Sequence, residues 1–382
     1  MTDEGWMSLA LIEASRGRGA VEPNPMVGAV VVARGELVGV GHHERFGGPH
    51  AEVVALADAG ERARGATLYV TLEPCCHFGK TPPCTEAVLR AGIARVVAAH
   101  RDPFPQVDGG GLSLLRAAGV EVAVEVRGDA ARDLNAPYLK RILLGTPFVT
   151  AKWAMTLDGR TAAGSGDSRW ISNPRSRSLV HEVRGRMDAI LVGVGTALAD
   201  DPELAARPPG PRIPARVILD SRGRLPTNGK LARTAREVPV WVATTEHAPA
   251  DHLAGLEALG CVVLRFAAGG SRSVPVEPLL TELSRRGVTN LLIEGGGAVL
   301  GSFFDAGQVD AVDVFVAPKV EGGTHRHTPA QGRGVLAMAD AWQVAGPAIT
   351  VIDGDVRIEG RLAQGPWASA VAQAAARGAS DP

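Results

Sequence analysis

Two short stretches carry residue types suited to heterocycle chemistry: His50-Ala51-Glu52, and Pro74-Cys75-Cys76-His77-Phe78-Gly79-Lys80-Thr81-Pro82-Pro83-Cys84. One imidazole and two thiolates give a tetrahedral zinc three protein ligands and leave one position open for water. Zinc brings the pKa of such a water near neutrality, and a neighbouring carboxylate that is not itself a ligand can move the proton. His50, Cys75 and Cys84 with Glu52 as general acid/base therefore read as a site for removing an amino group, on the zinc-deaminase pattern H-x-E followed by P-C-x-x-C. The spacing departs from that pattern, because eight residues separate Cys75 from Cys84. The extra loop holds Gly79 and Pro82-Pro83, which suit an irregular excursion that returns Cys84 to the metal. A structural zinc knot closed by Cys76 or His77 is the alternative. Such a knot has no use for a carboxylate beside its histidine, so Glu52 favours the catalytic reading, with Cys76 and His77 shaping the pocket or orienting a ligand.

The chain of 382 residues is longer than one core usually sustains, which predicts two domains. A net charge of −1 and scarce aromatic residues disfavour a nucleic-acid platform. Of four cysteines, three are crowded into one motif; they read as metal-binding thiols in a reducing compartment, with Cys261 a core residue. The acidic start Met-Thr-Asp-Glu-Gly-Trp has no following apolar region, and no apolar run approaches the roughly 18 residues of a membrane span. The expected setting is cytoplasmic, with no membrane partner.

Patterning places the chemistry on alternating strands and helices. Helices are expected over residues 6–15, 50–59, 85–91, 112–118 and 137–144, and strands over 27–33, 36–40, 67–72, 95–99 and 120–126. The metal histidine then falls in the first turn of a helix, and the arrangement predicts a three-layer α/β/α sandwich. Gly145 and Pro147 mark a helix stop, so the domains are drawn at residues 1–146 and 147–363. Strands are expected in the second domain over 149–153, 189–194, 217–220, 238–243, 262–266, 290–294 and 312–317, making it a second α/β unit. Residues 364–382 are rich in Ala, Gly and Ser and are expected to be a disordered tail.

In the second half, Gly193-Val194-Gly195-Thr196 and Gly295-Gly296-Gly297 each follow an apolar strand. Glycines there let a phosphate approach the backbone ahead of a helix, but they equally make tight strand-helix connections. Neither run matches the Rossmann spacing G-x-G-x-x-G, since the sixth position from Gly193 is Leu198.

Taken together, Pro23-Asn24-Pro25-Met26-Val27-Gly28, Gly39-Val40-Gly41 with His43 and Gly47, His50-Ala51-Glu52 and the run from Thr71 to Cys84 resemble the bifunctional riboflavin-biosynthesis deaminase-reductase family. The second half resembles the family's reductase through residues 152–159, Ser168-Arg169-Trp170-Ile171, residues 188–193, Asp200-Asp201-Pro202 and Glu294-Gly295-Gly296. This resemblance implies a cytidine-deaminase-like N-terminal domain using zinc, and a dihydrofolate-reductase-like C-terminal domain using NADPH without a Rossmann fingerprint. It implies two steps on one phosphorylated pyrimidine: hydrolysis of the 2-amino group, then reduction of the ribosyl to a ribityl chain at C1'. A homodimer or homotetramer through the reductase domain is implied as well.

Carried onto this chain, the family's zinc ligands fall on His50, Cys75 and Cys84 and its proton shuttle on Glu52, with Asn24 and His43 lining the deaminase pocket. Cofactor positions match Ala154, Trp170, Thr196, Asp200 and the run Gly296, Gly297, Ala298, Val299, Leu300, Gly301 and Ser302. Substrate positions match Ser168, Arg184, Leu204, Arg207 and Glu294. Arginines and hydroxyls suit a ribose phosphate. Read alone, Arg184 would be a solvated helix-face charge, Arg207 a loop charge, Trp170 a core residue and Asp200-Asp201 a turn. Lys152 and Glu294 flank strands where either could assist reduction electrostatically. Phe104 stands where the family often has asparagine, Asn173 where a small residue is usual and Ala311 where glutamate is common; His325-Arg326-His327 has no placed counterpart. The competing readings are a zinc deaminase of another nucleoside or tRNA base, and a noncatalytic zinc-stabilised binding protein.

Overall fold

A computed structural model describes residues 1–324 and 327–379. Contacts divide the chain into two units, Met1–Gly145 together with the residues from Ser369 onward, and Thr146–Ala368.

The first unit opens with helix α1 (Asp3–Ser15), followed by the antiparallel pair β1 (Gly28–Ala33) and β2 (Glu36–His42). Next come α2 (Ala51–Ala59), β3 (Thr67–Val70), α3 (Cys84–Ala91) and β4 (Arg95–Ala98). It continues with α4 (Gly110–Ala117), β5 (Glu121–Ala123), α5 (Gly128–Leu134) and α6 (Ala136–Leu144). The sheet order is β2-β1-β3-β4-β5. Because strand side chains alternate, Ala29, Val31, Leu68, Val70, Val96 and Ala98 face a core with α2, α3 and α4, whereas Val30, Val32, Tyr69 and Val97 face α1 and α5. Helices on both faces make this a three-layer α/β/α sandwich. Helix α2 lies unusually close to β2: a Cβ on Gly39 would sit 2.3 Å from the Ala55 carbonyl oxygen, and one on Gly41 2.5 Å from the Ala55 nitrogen. That approach fixes where the start of α2, with His50 and Glu52, meets the sheet.

His100, at the end of β4, is buried with Nδ1 2.7 Å from the Arg101 carbonyl and Nε2 unpartnered. Burial pushes its pKa down to about 4. The unfolded chain takes this proton from about pH 6.5 downward and the folded one only near 4, so stability present above pH 6.5 is lost on acidification through that window. Between pH 7 and pH 4, denaturant titration should show wild type losing roughly 3 kcal/mol more than His100→Asn, which has no titrating ring. Equal losses would contradict the assignment.

The second unit begins with β6 (Phe148–Thr156), α7 (Pro174–Arg184), β7 (Ala189–Gly193) and α8 (Val194–Asp200). There follow β8 (Ala215–Leu219), α9 (Lys230–Arg233), β9 (Val240–Thr245), α10 (Ala250–Ala258) and β10 (Val262–Phe266). Then come α11 (Val276–Arg285), β11 (Asn290–Glu294), α12 (Gly297–Asp305) and β12 (Ala311–Ala317). The hairpin β13 (Val344–Ile352) and β14 (Asp355–Leu362) and helix α13 (Pro366–Ala379) complete the chain. The nine strands run in the order β10-β9-β8-β7-β11-β6-β12-β14-β13, parallel from β10 to β12 and antiparallel through the hairpin. Leu191, Val217, Leu291 and Ile293 pack toward α11 and α12, and Ile190, Val192, Ile218 and Leu292 toward α9 and α10.

Pattern and fold differ toward the C-terminal end. The stretch expected to be a disordered tail forms α13: Trp367, Ala370 and Ala374 recur at helical spacing and are buried, the Trp367 N–H donates to Asp310 Oδ1 at 3.0 Å, and the indole meets Phe148 edge-on. The β13–β14 hairpin was not anticipated, because seven successive residues of β13 are exposed and no alternation marks it. Asn173 has a visible role. Its side chain caps α7 by accepting from the Ser176 N–H at 2.9 Å and donates to the Ile352 carbonyl at 2.6 Å. Cys261 is buried, as expected of a core residue. His325 and Arg326 lie outside the described residues.

Candidate active sites

In the first unit, helix starts deliver two of the three candidate ligands. His50 is the extended N-cap residue of α2, Cys84 is the first residue of α3, and Cys75 lies on the loop leading to it. His50 Nδ1 is 3.2 Å from Cys84 Sγ and 3.5 Å from Cys75 Sγ, and the Cys84 N–H donates to Cys75 Sγ at 3.3 Å. The three ligand atoms lie within 4.8 Å of one another, the only such group among the described residues. Cys76 and His77 are outside it: the Cys76 thiol turns to the Gln106 carbonyl, and the His77 ring packs against Phe104. A borderline-soft donor set of one imidazole and two thiols fits zinc, and three protein ligands fit an open site better than a closed knot.

Glu52 follows in the first turn of α2 and is only 3 % exposed. Burial, with Cys75 nearby, pushes its carboxyl up to about 7. The Cys84 hydrogen bond pulls the Cys75 thiol below its ordinary value. Glu52, Cys75 and His50 border a cavity of about 380 Å³ that Asn24 and His43 also line. The His43 Nδ1 hydrogen faces the Pro49 carbonyl at 2.9 Å, so Nε2 accepts from Asn24 Nδ2 at 3.2 Å. Five of the six first-unit expectations thus share one cavity, and Cys84 is off its wall but in contact with His50.

Sequence reading missed other residues of the same cavity. Asp102 is buried and accepts from Tyr138 Oη at 2.9 Å, and burial pushes its carboxyl up to about 7. Its loop is held by Glu73, whose carboxylate accepts the backbone N–H groups of Asp102, Gly109, Gly111 and Leu112 at 2.9–3.1 Å. Glu73 immediately precedes Pro74-Cys75, so one side chain ties the cysteine loop to the segment from Asp102 to Leu112. Glu73→Ala orphans four buried donors and should cost on the order of 3 kcal/mol, read as a lower denaturation midpoint of the first unit. An unchanged midpoint would contradict that role.

The second unit holds a cavity of about 480 Å³ lined by Ala154, Ser168, Trp170, Arg184, Asp200, Leu204 and Arg207. Lys152, Arg169, Arg177 and Lys230 also line it, so its wall is rich in cations. Trp170 is 62 % exposed, against the core alternative, and the Arg177 guanidinium lies 4.4 Å from its ring centre. Arg184 is not a solvated charge either: its Nε and Nη2 donate to Glu294 at 2.6 and 2.7 Å. Burial disfavours the Glu294 charge, but Arg184 beside it holds the carboxyl below its ordinary value, whereas burial pushes the Lys152 ammonium down. Arg207 stays an exposed loop charge paired with Glu203 at 2.7 Å.

Thr196 and residues 296–302 are not among the cavity-lining residues. Thr196 Oγ1 sits beside Gly295 and Gly296, both with positive φ, at the ends of β7 and β11. The glycines of α12 also admit a close approach of the chain itself. A Cβ on Gly301 would fall 1.6 Å from the Gln331 carbonyl oxygen and one on Gly297 2.5 Å from that of Thr328, while the Gln331 N–H donates to Gly297 at 2.9 Å. The chain's own segment 328–332 therefore covers that face.

Residues 1–100 match the cytidine and deoxycytidylate deaminase zinc-binding region, and residues 147–351 match the RibD C-terminal domain. The riboflavin biosynthesis protein RibD of Aquifex aeolicus is 44 % identical over 321 residues, covering 84 % of this chain and 88 % of its own. The chain belongs to the RibD family. The RibD of Escherichia coli is 40 % identical, covering 85 % of this chain and 90 % of its own. Among solved structures, the Thermotoga maritima diaminohydroxyphosphoribosylaminopyrimidine deaminase/5-amino-6-(5-phosphoribosylamino)uracil reductase matches with a TM-score of 0.80 and 36 % identity, over 94 % of this chain and 98 % of that one. Acinetobacter baumannii RibD matches with a TM-score of 0.81, 36 % identity and the same coverage. The RibD fold is thus a cytidine-deaminase-like sandwich followed by a dihydrofolate-reductase-like α/β domain.

Proposed function

We propose that residues 1–146 deaminate 2,5-diamino-6-(5-phosphoribosylamino)pyrimidin-4(3H)-one and that residues 147–363 reduce the product to 5-amino-6-(5-phosphoribitylamino)uracil with NADPH. The observation that carries this reading is the three-ligand group beside buried Glu52 at the edge of a cavity, in a chain that also has the RibD reductase domain.

His50, Cys75 and Cys84 would hold the zinc, which supplies Lewis acidity and lowers the pKa of water at that point. Glu52, with its carboxyl near 7, carries one proton of the attacking water to the ring nitrogen and then the remaining hydroxyl proton to the departing 2-amino group, which leaves as ammonia as the carbonyl forms. Asn24 and His43 orient the heterocycle, their hydrogen bond fixing which atoms each presents. The cavity walls keep bulk water from the reacting carbon.

In the second unit the cation-rich cavity takes the phosphorylated sugar, with Ser168, Arg184, Leu204 and Arg207 on its wall and Glu294, paired to Arg184, as substrate residues. Ala154, Trp170, Thr196, Asp200 and residues 296–302 bind NADPH, which supplies the hydride for C1'. Glu294 contributes by holding the Arg184 guanidinium in place.

Among the described residues no helix is long and apolar enough to cross a membrane. A reducing cytoplasm keeps Cys75 and Cys84 reduced and available to a metal. Pairing of two chains through the reductase domain is supported by the edge strand β13, where Ile349 and Val351 are exposed near Leu336 and Met338 in sequence.

Removing zinc with a chelator should abolish ammonia release and leave NADPH oxidation on supplied deaminated pyrimidine intact. Ammonia release that survives complete removal of zinc would contradict the proposal.

A further inference from the structure

Helix α7 presents Arg177, His181 and Arg184 at i, i+4 and i+7, and all three line the second cavity. Two of them are committed elsewhere. Arg177 lies over the Trp170 ring and donates to the Ser172 carbonyl at 2.6 Å. Arg184 spends Nε and Nη2 on Glu294 and Nη1 on the Ala205 carbonyl at 3.3 Å.

His181 uses the same carbonyl, with Nδ1 3.1 Å from Ala205 O. A carbonyl only accepts, so Nδ1 carries the hydrogen and Nε2 keeps a lone pair. Among the described residues Nε2 has no hydrogen-bond partner, and it is not a buried atom. Burial and the neighbouring Arg184 push the ring's pKa down, which keeps that lone pair free at neutral pH. The loop supplying the carbonyl includes Asp201 and Leu204 with φ of +38° and +50°, left-handed backbone that non-glycine residues adopt at a cost and that recurs at functional sites.

We propose that His181 is a catalytic residue of the reduction, its Nε2 touching the sugar and moving the proton that opens the ribose ring. The inference rests on the reductase reading above. In the ribosylamine, the C1'–O4' bond breaks as the exocyclic nitrogen forms C1'=N. The proton leaving that nitrogen passes by way of Nε2 to O4'. A hydride taken from NADPH then adds to C1', the C=N electrons return to nitrogen, nitrogen takes a proton from solvent, and NADP+ is the oxidised product.

The test uses the full chain with the deaminated pyrimidine ribosyl phosphate, measuring its binding by calorimetry without NADPH and its turnover with NADPH. His181→Ala and His181→Gln should each lower kcat about 100-fold. Binding should stay within about threefold of wild type, ammonia release should be unchanged, and added imidazole should restore part of the His181→Ala rate. Variants that turn over within about threefold of wild type, or that lose binding and turnover together without imidazole rescue, would overturn the role of His181. A wild-type chain that binds but never oxidises NADPH would instead sink the reductase reading, and this inference with it.

Discussion

Glu52→Gln should lower ammonia release by about 10²- to 10⁴-fold while the chain still binds zinc and still reduces supplied deaminated pyrimidine. Glutamine keeps the volume and one hydrogen-bonding oxygen but cannot carry a proton between water and the leaving amine. The size of the effect follows from placement. Glu52 is buried in the first turn of α2, two residues after a candidate ligand, and its carboxyl near 7 is matched to proton transfer at neutral pH. Metal analysis and the reductase rate serve as internal controls, because neither depends on that proton. A variant that releases ammonia within tenfold of wild type would remove Glu52 from the chemistry.

Glu294→Ala should be the most damaging single change in the second unit, with a loss of about 3–5 kcal/mol in denaturant titration. It leaves the Arg184 guanidinium without its bidentate partner and takes from Lys152 one of its two neighbouring anions, leaving Asp313. The pair itself need not stabilise the fold, since desolvating both ions offsets much of their attraction. The double substitution Arg184→Leu with Glu294→Leu should therefore recover most of the lost stability yet remain inactive as a reductase. Recovered stability without activity assigns the pair to function; a double variant as unstable as Glu294→Ala would assign it to the fold.

What the sequence made legible was local. His50, Glu52, Cys75 and Cys84 could be read because their roles depend on residue type and on helix starts a few residues away. Asp102, Tyr138 and Glu73 could not, because they reach the site only when β4, α6 and the cysteine loop come together, and no spacing records that. His181 was hidden for a related reason: an imidazole on a helix face gains meaning only when the Ala205 carbonyl fixes its tautomer. The glycines of α12 could be read for a close phosphate but not for segment 328–332, whose approach also demands their lack of side chains. The alanine-rich end was misread by composition. Alanine is the strongest helix former, and Trp367, Ala370 and Ala374 carried the helical period that should have outweighed low complexity.

The most direct measurement incubates the zinc-loaded chain with the diaminopyrimidine ribosyl phosphate, following ammonia with and without NADPH and NADPH by its absorbance. The account predicts ammonia release that needs no NADPH, and NADPH oxidation that begins only once deaminated product is present. NADPH oxidation that precedes ammonia, or no ammonia from a chain with zinc bound, would contradict it.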